Sequence, residues 1–242
     1  TGTGIVTTND GRATVYYKSG TNIGDVVISA RVLKTESPVN FYPALGSTTL
    51  SLTAGAPVQV ALSAQPTESV ADGSSSIAIT ANLSDENGNP VSNSNVSFST
   101  NHGFISQGSV DTDSYGNATT SLIAPTIPGI GIVTASAGQA TGQTSIEFTS
   151  GGPATIEISG FTDSETTSPL PGSGIFVTHP SSQPVDKINE ATIKALVSDS
   201  FGNAIPGAPV QWTSPSGIVK TSSHVVKSAF FNITDATGYA YA

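Results

Sequence analysis

Residues 75–100, "SSIAITANLSDENGNPVSNSNVSFST", align without a gap on residues 189–214, "NEATIKALVSDSFGNAIPGAPVQWTS". An internal repeat constrains the fold more than any single motif, because both copies must adopt the same supersecondary unit. Asp85 falls on Asp199, Gly88 on Gly202, Asn89 on Asn203, Val96 on Val210 and Phe98 on Trp212. In the first copy Ile77, Ile79, Ala81 and Leu83 alternate with Ala78, Thr80 and Asn82, and Ala191, Ile193, Ala195 and Val197 repeat the pattern. Alternation of period two predicts a half-buried strand. Taken alone, "VDKINEATIKALV" also reads as a helix, but its partner copy does not. The D-x-x-G-N that follows each strand predicts a tight turn with Gly and Asn at positive φ. A second strand then carries Phe98 or Trp212 toward the core.

A second landmark, T-x-x-x-G-x-A, occurs three times: "TTNDGRATV" (7–15), "TDSYGNATT" (112–120) and "TDATGYAYA" (234–242). After it the first two copies run in parallel, "GDVVISA" (24–30) with "GIGIVTA" (129–135) and "STTLSLTAG" (47–55) with "QTSIEFTSG" (143–151). Between these two strands the first copy is read as having a long loop, 31–46, whose Phe41, Tyr42 and Leu45 either cover the end of the sandwich or form a contact patch. Landmarks lie roughly 105 to 120 residues apart, close to the span of a seven-stranded sandwich. The expected division is therefore the back half of one repeat (1–54), a complete repeat (55–150) and the front of a third (151–242). "TAGAP" and "SGGPA" are the linkers, too short for free tumbling.

The run "ADGSSSIAITANLSDENGNPVSNSNVSFST", with "TDSYGNATTSL", "PGIGIVTASAG" and "TSIEFT" after it, resembles the group 1 bacterial immunoglobulin-like domain. Repeats of this family form the extracellular stalks of invasin- and intimin-type adhesins. The likeness runs through 55–150 and covers 5–54 and 185–242. Residues 156–184, with several Pro and Gly, depart from it and read as an insertion in the first strands of the third repeat. The resemblance implies an all-β chain of tandem immunoglobulin-like β-sandwiches, one complete and two partial, with a structural or adhesive role at the bacterial cell surface. It carries over no catalytic residues.

Composition agrees with a β-rich exported protein. Ser, Thr, Gly, Ala and Val dominate and charged residues make up 10% of the chain. The net charge of −9, with no concentration of Lys or Arg, removes the attraction that nucleic-acid binding needs. No apolar run is long enough to cross a bilayer as a helix. Beginning at Thr1 without an initiator Met or signal pattern, the chain is expected to be processed or cut from something longer. Absence of Cys removes disulfides and thiol chemistry.

Candidate chemistry is sparse. His102, His179 and His224 stand apart from one another and read as surface residues. Oxygen ligands for calcium gather in "SDENGNP" (Asp85, Glu86, Asn87, Asn89) and "VDTDSYGN" (Asp111, Asp113, Asn117), but neither has EF-hand spacing, and Asp and Asn serve turns by bonding their own backbone. Glycine clusters do not sit between a strand and a helix and read as turns. Tyr16, Tyr17, Tyr239 and Tyr241 alternate as residues packed across strands do. Sequons at Asn82, Asn95, Asn117 and Asn232 are expected by chance in so Thr- and Asn-rich a chain. The expectation is no enzyme, no cofactor and no metal.

Three functions remain: a stalk of tandem sandwiches on a surface adhesin, a subunit of an extracellular filament joined head to tail by strand complementation, and a polysaccharide-binding module. The expected partners are neighbouring repeats or other copies of the chain, with a host or cell-surface receptor or a glycan beyond them.

Overall fold

The computed structural model describes residues 10–34, 40–161, 177–178, 192–213, 219–221, 224–226 and 229–241. All regular structure in them is strand. A hairpin of β1 (Gly24–Lys34) and β2 (Asn40–Leu52) comes first. Nine strands follow: β3 (Gln59–Gln65), β4 (Glu68–Val70), β5 (Ser76–Ser84), β6 (Asn95–Thr100), β7 (Phe104–Ile105), β8 (Ser109–Asp111), β9 (Asn117–Ile123), β10 (Gly129–Ala137) and β11 (Ala140–Thr149). Then come β12 (Thr155–Phe161), β13 (Val177–Thr178), β14 (Thr192–Ser198), β15 (Pro209–Thr213), β16 (Val219–Thr221), β17 (His224–Val226), β18 (Ala229–Ile233) and β19 (Tyr239–Tyr241).

Strands β3 to β11 close one β-sandwich. One sheet has the order β3-β5-β9-β7 and the other β4-β11-β10-β6-β8. The alternation seen in the sequence fixes which face turns inward: Ile77, Ile79, Ala81 and Leu83 on β5 are all fully buried. From the facing sheet Val96, Phe98, Val133, Ala135, Ile146 and Phe148 meet them. Burying aliphatic and aromatic side chains of this size contributes about 1.5–3 kcal/mol each relative to exposure.

The later strands repeat this plan in register. Gln59↔Ser84 between β3 and β5 returns as Thr155↔Ser198 between β12 and β14. Asn82↔Asn117 returns as Leu196↔Tyr239, and Asn95↔Asp111 as Pro209↔Ile233. Ala195, Val197, Val210, Trp212 and Ala240 form a second core. The helical alternative for the segment before Asp199 is thereby excluded for 192–198, which is strand; Ala191 lies outside the described residues. So does most of the expected insertion, of which 156–161 continue β12 and Val177–Thr178 pair in parallel with Ile158 and Ser159.

The hairpin β1–β2 matches β10–β11 equally closely: Gly24↔Leu52 corresponds to Gly129↔Phe148, and Ala30↔Gly46 to Ala135↔Gly142. Two expectations are corrected here. Residues 31–34 and 40–46 are not loop but strand, since the ladder continues past a bulge between Arg31 and Leu33 to Lys34↔Asn40; Leu45 is exposed. Tyr16 and Tyr17 do not pack across strands. The counterpart of their segment, β9, leans on β5, whereas among the described residues no strand pairs with 13–20, so Tyr16 is 96% exposed.

The T-x-x-x-G-x-A landmark has three jobs. Thr112 is buried; its hydroxyl donates to the Val91 carbonyl and accepts the Ser94 N–H, pinning the loop between β5 and β6. Thr234 does the same with Ile205 and Ala208. Gly116 and Gly238 both take φ of 79°, and a Cβ on Gly116 would stand 2.6 Å from the Leu83 carbonyl oxygen. Ala118 and Ala240 are core residues. Thr7 of the first copy lies outside the described residues. Replacement of Gly116 by Ala combines a disfavoured φ with that clash and is expected to cost about 1–3 kcal/mol. Gly108→Ala, where φ is ordinary and the nearest atom is 3.9 Å away, should stay within about 0.5 kcal/mol when both variants are compared by urea titration.

Candidate functional site

The two D-x-x-G-N turns build the same structure twice, each where one set of strands hands over to the next. In the first, Asp85 Oδ1 accepts the backbone N–H groups of Asn87 and Asn89, both at 2.9 Å. Its Oδ2 accepts the N–H of Gly55, in the segment linking β2 to β3, at 2.9 Å. In the second, Asp199 Oδ1 takes Phe201 and Asn203, and Oδ2 takes Gly151, in the segment linking β11 to β12, at 3.0 Å. The carboxylates are buried yet fully engaged, which is the condition under which a charge can leave water without a countercharge.

The Asn of each turn completes the clasp. Asn89 Nδ2 donates to its own Asp85 and, at 2.8 Å, to the carbonyl of Thr21 just ahead of β1. Asn203 Nδ2 donates to Asp199 and, also at 2.8 Å, to the carbonyl of Thr126 just ahead of β10. Thr21 and Thr126 hold equivalent places relative to the equivalent strands β1 and β10. This corrects the expected role of the Asn. Only Gly88 and Gly202 take the positive φ, at 79° and 84°; Asn89 and Asn203 are there for their amide hydrogens. The repeat alignment marked both residues, but the acceptor lies 68 and 77 residues away, and nothing local points to it. Ser150 adds a bond to Ala204 at the second clasp.

Several of the oxygens singled out as calcium ligands are engaged in hydrogen bonds of the fold. Asp85 and Asn89 spend their oxygens and amide on the clasp. Asp113 accepts the N–H groups of Tyr115 and Asn117 in a turn of its own, and Asn117 accepts from Asn82. Among the described residues no group of three or more His, Asp or Glu is placed to hold a metal ion. A polar cleft of about 490 Å³ opens beside the first clasp, lined by Thr21, Ser51, Asp85, Glu86 and Asn87. His102 is half-buried: its ring packs edge-on against Phe148 with centroids 5.8 Å apart, and its Nε2 bonds the Ile127 carbonyl. His179 lies outside the described residues, and His224 is in β17.

Hydrogen bonds to the charged form set the acid behaviour. The Asn89 side chain, with Gly55 next, holds the Asp85 pKa down at about 2. For Asp199 burial pushes upward, but the bonds from Asn203, Gly151 and Phe201 together outweigh it and the pKa is lowered. A group lowered by folding contributes stability that is complete above its ordinary value of 3.8 and is lost as the pH falls through the folded value. Both clasps should therefore hold at neutral pH; the Asp85 clasp should open between about pH 4 and 2, and the Asp199 clasp as the pH falls below the ordinary carboxylate value. In thermal melts followed by circular dichroism, Asp85→Asn should lower the melting temperature at pH 7 and flatten its fall between pH 4 and pH 2.

Comparison with known proteins fits this plan. Residues 59–149 match the family model of the bacterial Ig-like domain (group 1). Among solved structures, invasin, a bacterial integrin-binding protein, superposes over 88% of this chain and 40% of its own with a TM-score of 0.51 at 20% identity. InvD of Yersinia pseudotuberculosis covers 75% of this chain and 47% of its own, with TM-score 0.48 and 23% identity. A glycosyl hydrolase family 2 member from Bacteroides cellulosilyticus aligns over 42% of this chain and 16% of its own, at 28% identity and TM-score 0.35. The chain thus spans less than half of each of these structures. No curated protein sequence matches it. Among the described residues no helix is long and apolar enough to cross a membrane. The sandwich at residues 59–149 is thus similar throughout to the group 1 bacterial Ig-like domain, and the strands on either side repeat its plan.

Proposed function

We propose that the chain is a stretch of an extracellular, non-catalytic stalk on a bacterial surface, of the adhesin type, divided into Ig-like units at residues 54/55 and 150/151. The observation that carries this reading is the clasp, built from the same four groups at both junctions. A stalk must transmit position from cell to target, and it does so only if each joint has one preferred geometry. Two short linkers limit tumbling but do not by themselves select one angle at each joint. A carboxylate that gathers the linker N–H and an amide that grips the preceding loop restrain each joint from two sides.

The polar groups brought together in the described residues support the same reading, since Asp85, Asp199, Thr112 and Thr234 all hold backbone in place. Invasin is described as integrin-binding, and a receptor on a host or neighbouring cell is the class of partner we assign to the parent stalk.

Joint stiffness is directly measurable because the chain has no Cys. Spin labels on cysteines placed at the exposed positions Thr49 and Thr119 should give one narrow distance distribution. With Asn89→Ala added, the distribution should broaden, and the melting temperature of the 59–149 sandwich should fall as well, because Asp85 loses its Asn89 partner. A broad distribution without that substitution would count against a stalk of fixed joints.

A further inference from the structure

We propose that Asn87 is a site of spontaneous deamidation, and that its isoaspartyl product unmakes the first clasp while the second, with Phe201 at the same place, stays closed. The only co-reactant is water.

Asn87–Gly88 is the one Asn–Gly step in the chain, and it falls inside the clasp turn. In the reaction the backbone nitrogen of Gly88 attacks Cγ of Asn87. The new N–Cγ bond closes a succinimide ring, the Cγ–Nδ2 bond breaks, and the proton given up by the Gly88 nitrogen leaves with the amide as ammonia. Water then adds to one of the two ring carbonyls and opens the ring. Opening at the main-chain carbonyl leaves the chain running through Cβ and Cγ, an isoaspartyl link, whereas opening at Cγ leaves an ordinary aspartate.

The turn leaves this step accessible. Gly88 has no Cβ to block the approach, and no atom stands within 4 Å of where one would be. Glu86, Asn87 and Gly88 are exposed, and Asn87 lines the polar cleft of about 490 Å³, so water reaches the ring. Among the described residues the Asn87 side chain makes no hydrogen bond that would hold its amide away. Other candidates are hindered. Asn101 Oδ1 accepts the Ile132 N–H at 2.7 Å, and Asn89 precedes Pro90, which has no N–H to attack with. At Asp72–Gly73 the carboxylate accepts the N–H groups of Ser74 and Ser75 and the Ser75 hydroxyl, which keep it an anion and a poor target for attack. One bond opposes the reaction at Asn87: the Gly88 N–H donates to the Asp85 carbonyl at 3.0 Å. The turn must open locally before the nitrogen is free, so the clasp sets the rate of its own loss.

An isoaspartyl link inserts one extra main-chain atom between residues 87 and 88. Every bond that spans this point depends on the ordinary spacing. These are the Gly88 N–H to the Asp85 carbonyl, the Asn89 N–H to Asp85 Oδ1, and the Asn89 amide to Asp85 and to Thr21. The ordinary aspartate product instead sets a new carboxylate beside Asp85 and Glu86. At the second joint Phe201 precedes Gly202 and has no amide to lose.

Incubation of the whole chain at mildly alkaline pH, followed by peptide mapping and isoaspartyl methyltransferase labelling, tests this. Label should appear at residue 87 ahead of every other Asn. In the same samples the Asn89 N–H should lose its protection from hydrogen exchange, while the Asn203 N–H keeps it. Asn89→Ala, which removes amide bonds that hold the turn, should speed the conversion about fivefold. Asn87→Gln, whose longer side chain would have to close a larger ring, should leave the Asn89 N–H protected through the same incubation. Phe201→Asn should install a second site of labelling at the second clasp. An Asn87 that outlasts the other asparagines overturns the proposal, and so does conversion at residue 87 that leaves the Asn89 N–H protected. None of these readouts depends on joint stiffness or on an adhesive role, so the stalk reading and this site stand or fall separately.

Discussion

Each of the two joints depends on a single carboxylate that has left water and found, in its place, backbone N–H groups and one Asn side-chain amide. Asp85 and Asp199 sit in the turns that follow β5 and β14, and each gathers N–H groups from its own turn and one from the segment leading in. A buried charge left with fewer partners than this would be costly, so the turn and the linker cannot take up their shapes independently. The turn fixes the linker glycine, the linker fixes where the next strand starts, and the Asn beside the Asp reaches back to the preceding loop. Joint geometry is thereby coupled to the folding of the turn.

How much of this was legible in the sequence depended on whether the cause was local. Alternation of Ile77, Ile79, Ala81 and Leu83 is a local signal, and it located both the strand and its buried face. Correspondence of the copies located the registers, because a one-residue slip would have turned every apolar side chain outward. Gly116 and Gly238 were readable as turn residues. Their close approach to the neighbouring strand was not, since it depends on a chain segment some thirty residues away.

The misreadings have the same origin. Asn89 looks like a turn residue because Asn often is one; only the position of the Thr21 carbonyl reveals that its amide is spent on another segment. Residues 31–46 contain Pro38 and Pro43 and lack a compact turn signal, so they read as loop, yet pairing to β2 extends the ladder through much of them. Tyr16 and Tyr17 follow a landmark that elsewhere opens a strand, but a strand needs a neighbour, and among the described residues theirs has none. In each case the local sequence was compatible with the expectation and a distant partner, present or absent, decided the outcome.

The clasp asks almost nothing of what comes before it. What it takes from the preceding segment is a main-chain carbonyl at Thr21 or Thr126 and a main-chain N–H at Gly55 or Gly151, groups that every non-proline residue owns. All the specialised chemistry resides in the Asp and Asn of the following unit. A unit of this design can therefore be duplicated, deleted or placed behind a different neighbour without matching changes in that neighbour, so an array can lengthen or shorten by recombination while every new joint forms at once. The divergence in sequence between the copies in this chain, beside the near identity of their two joints, is what that interchangeability would leave behind.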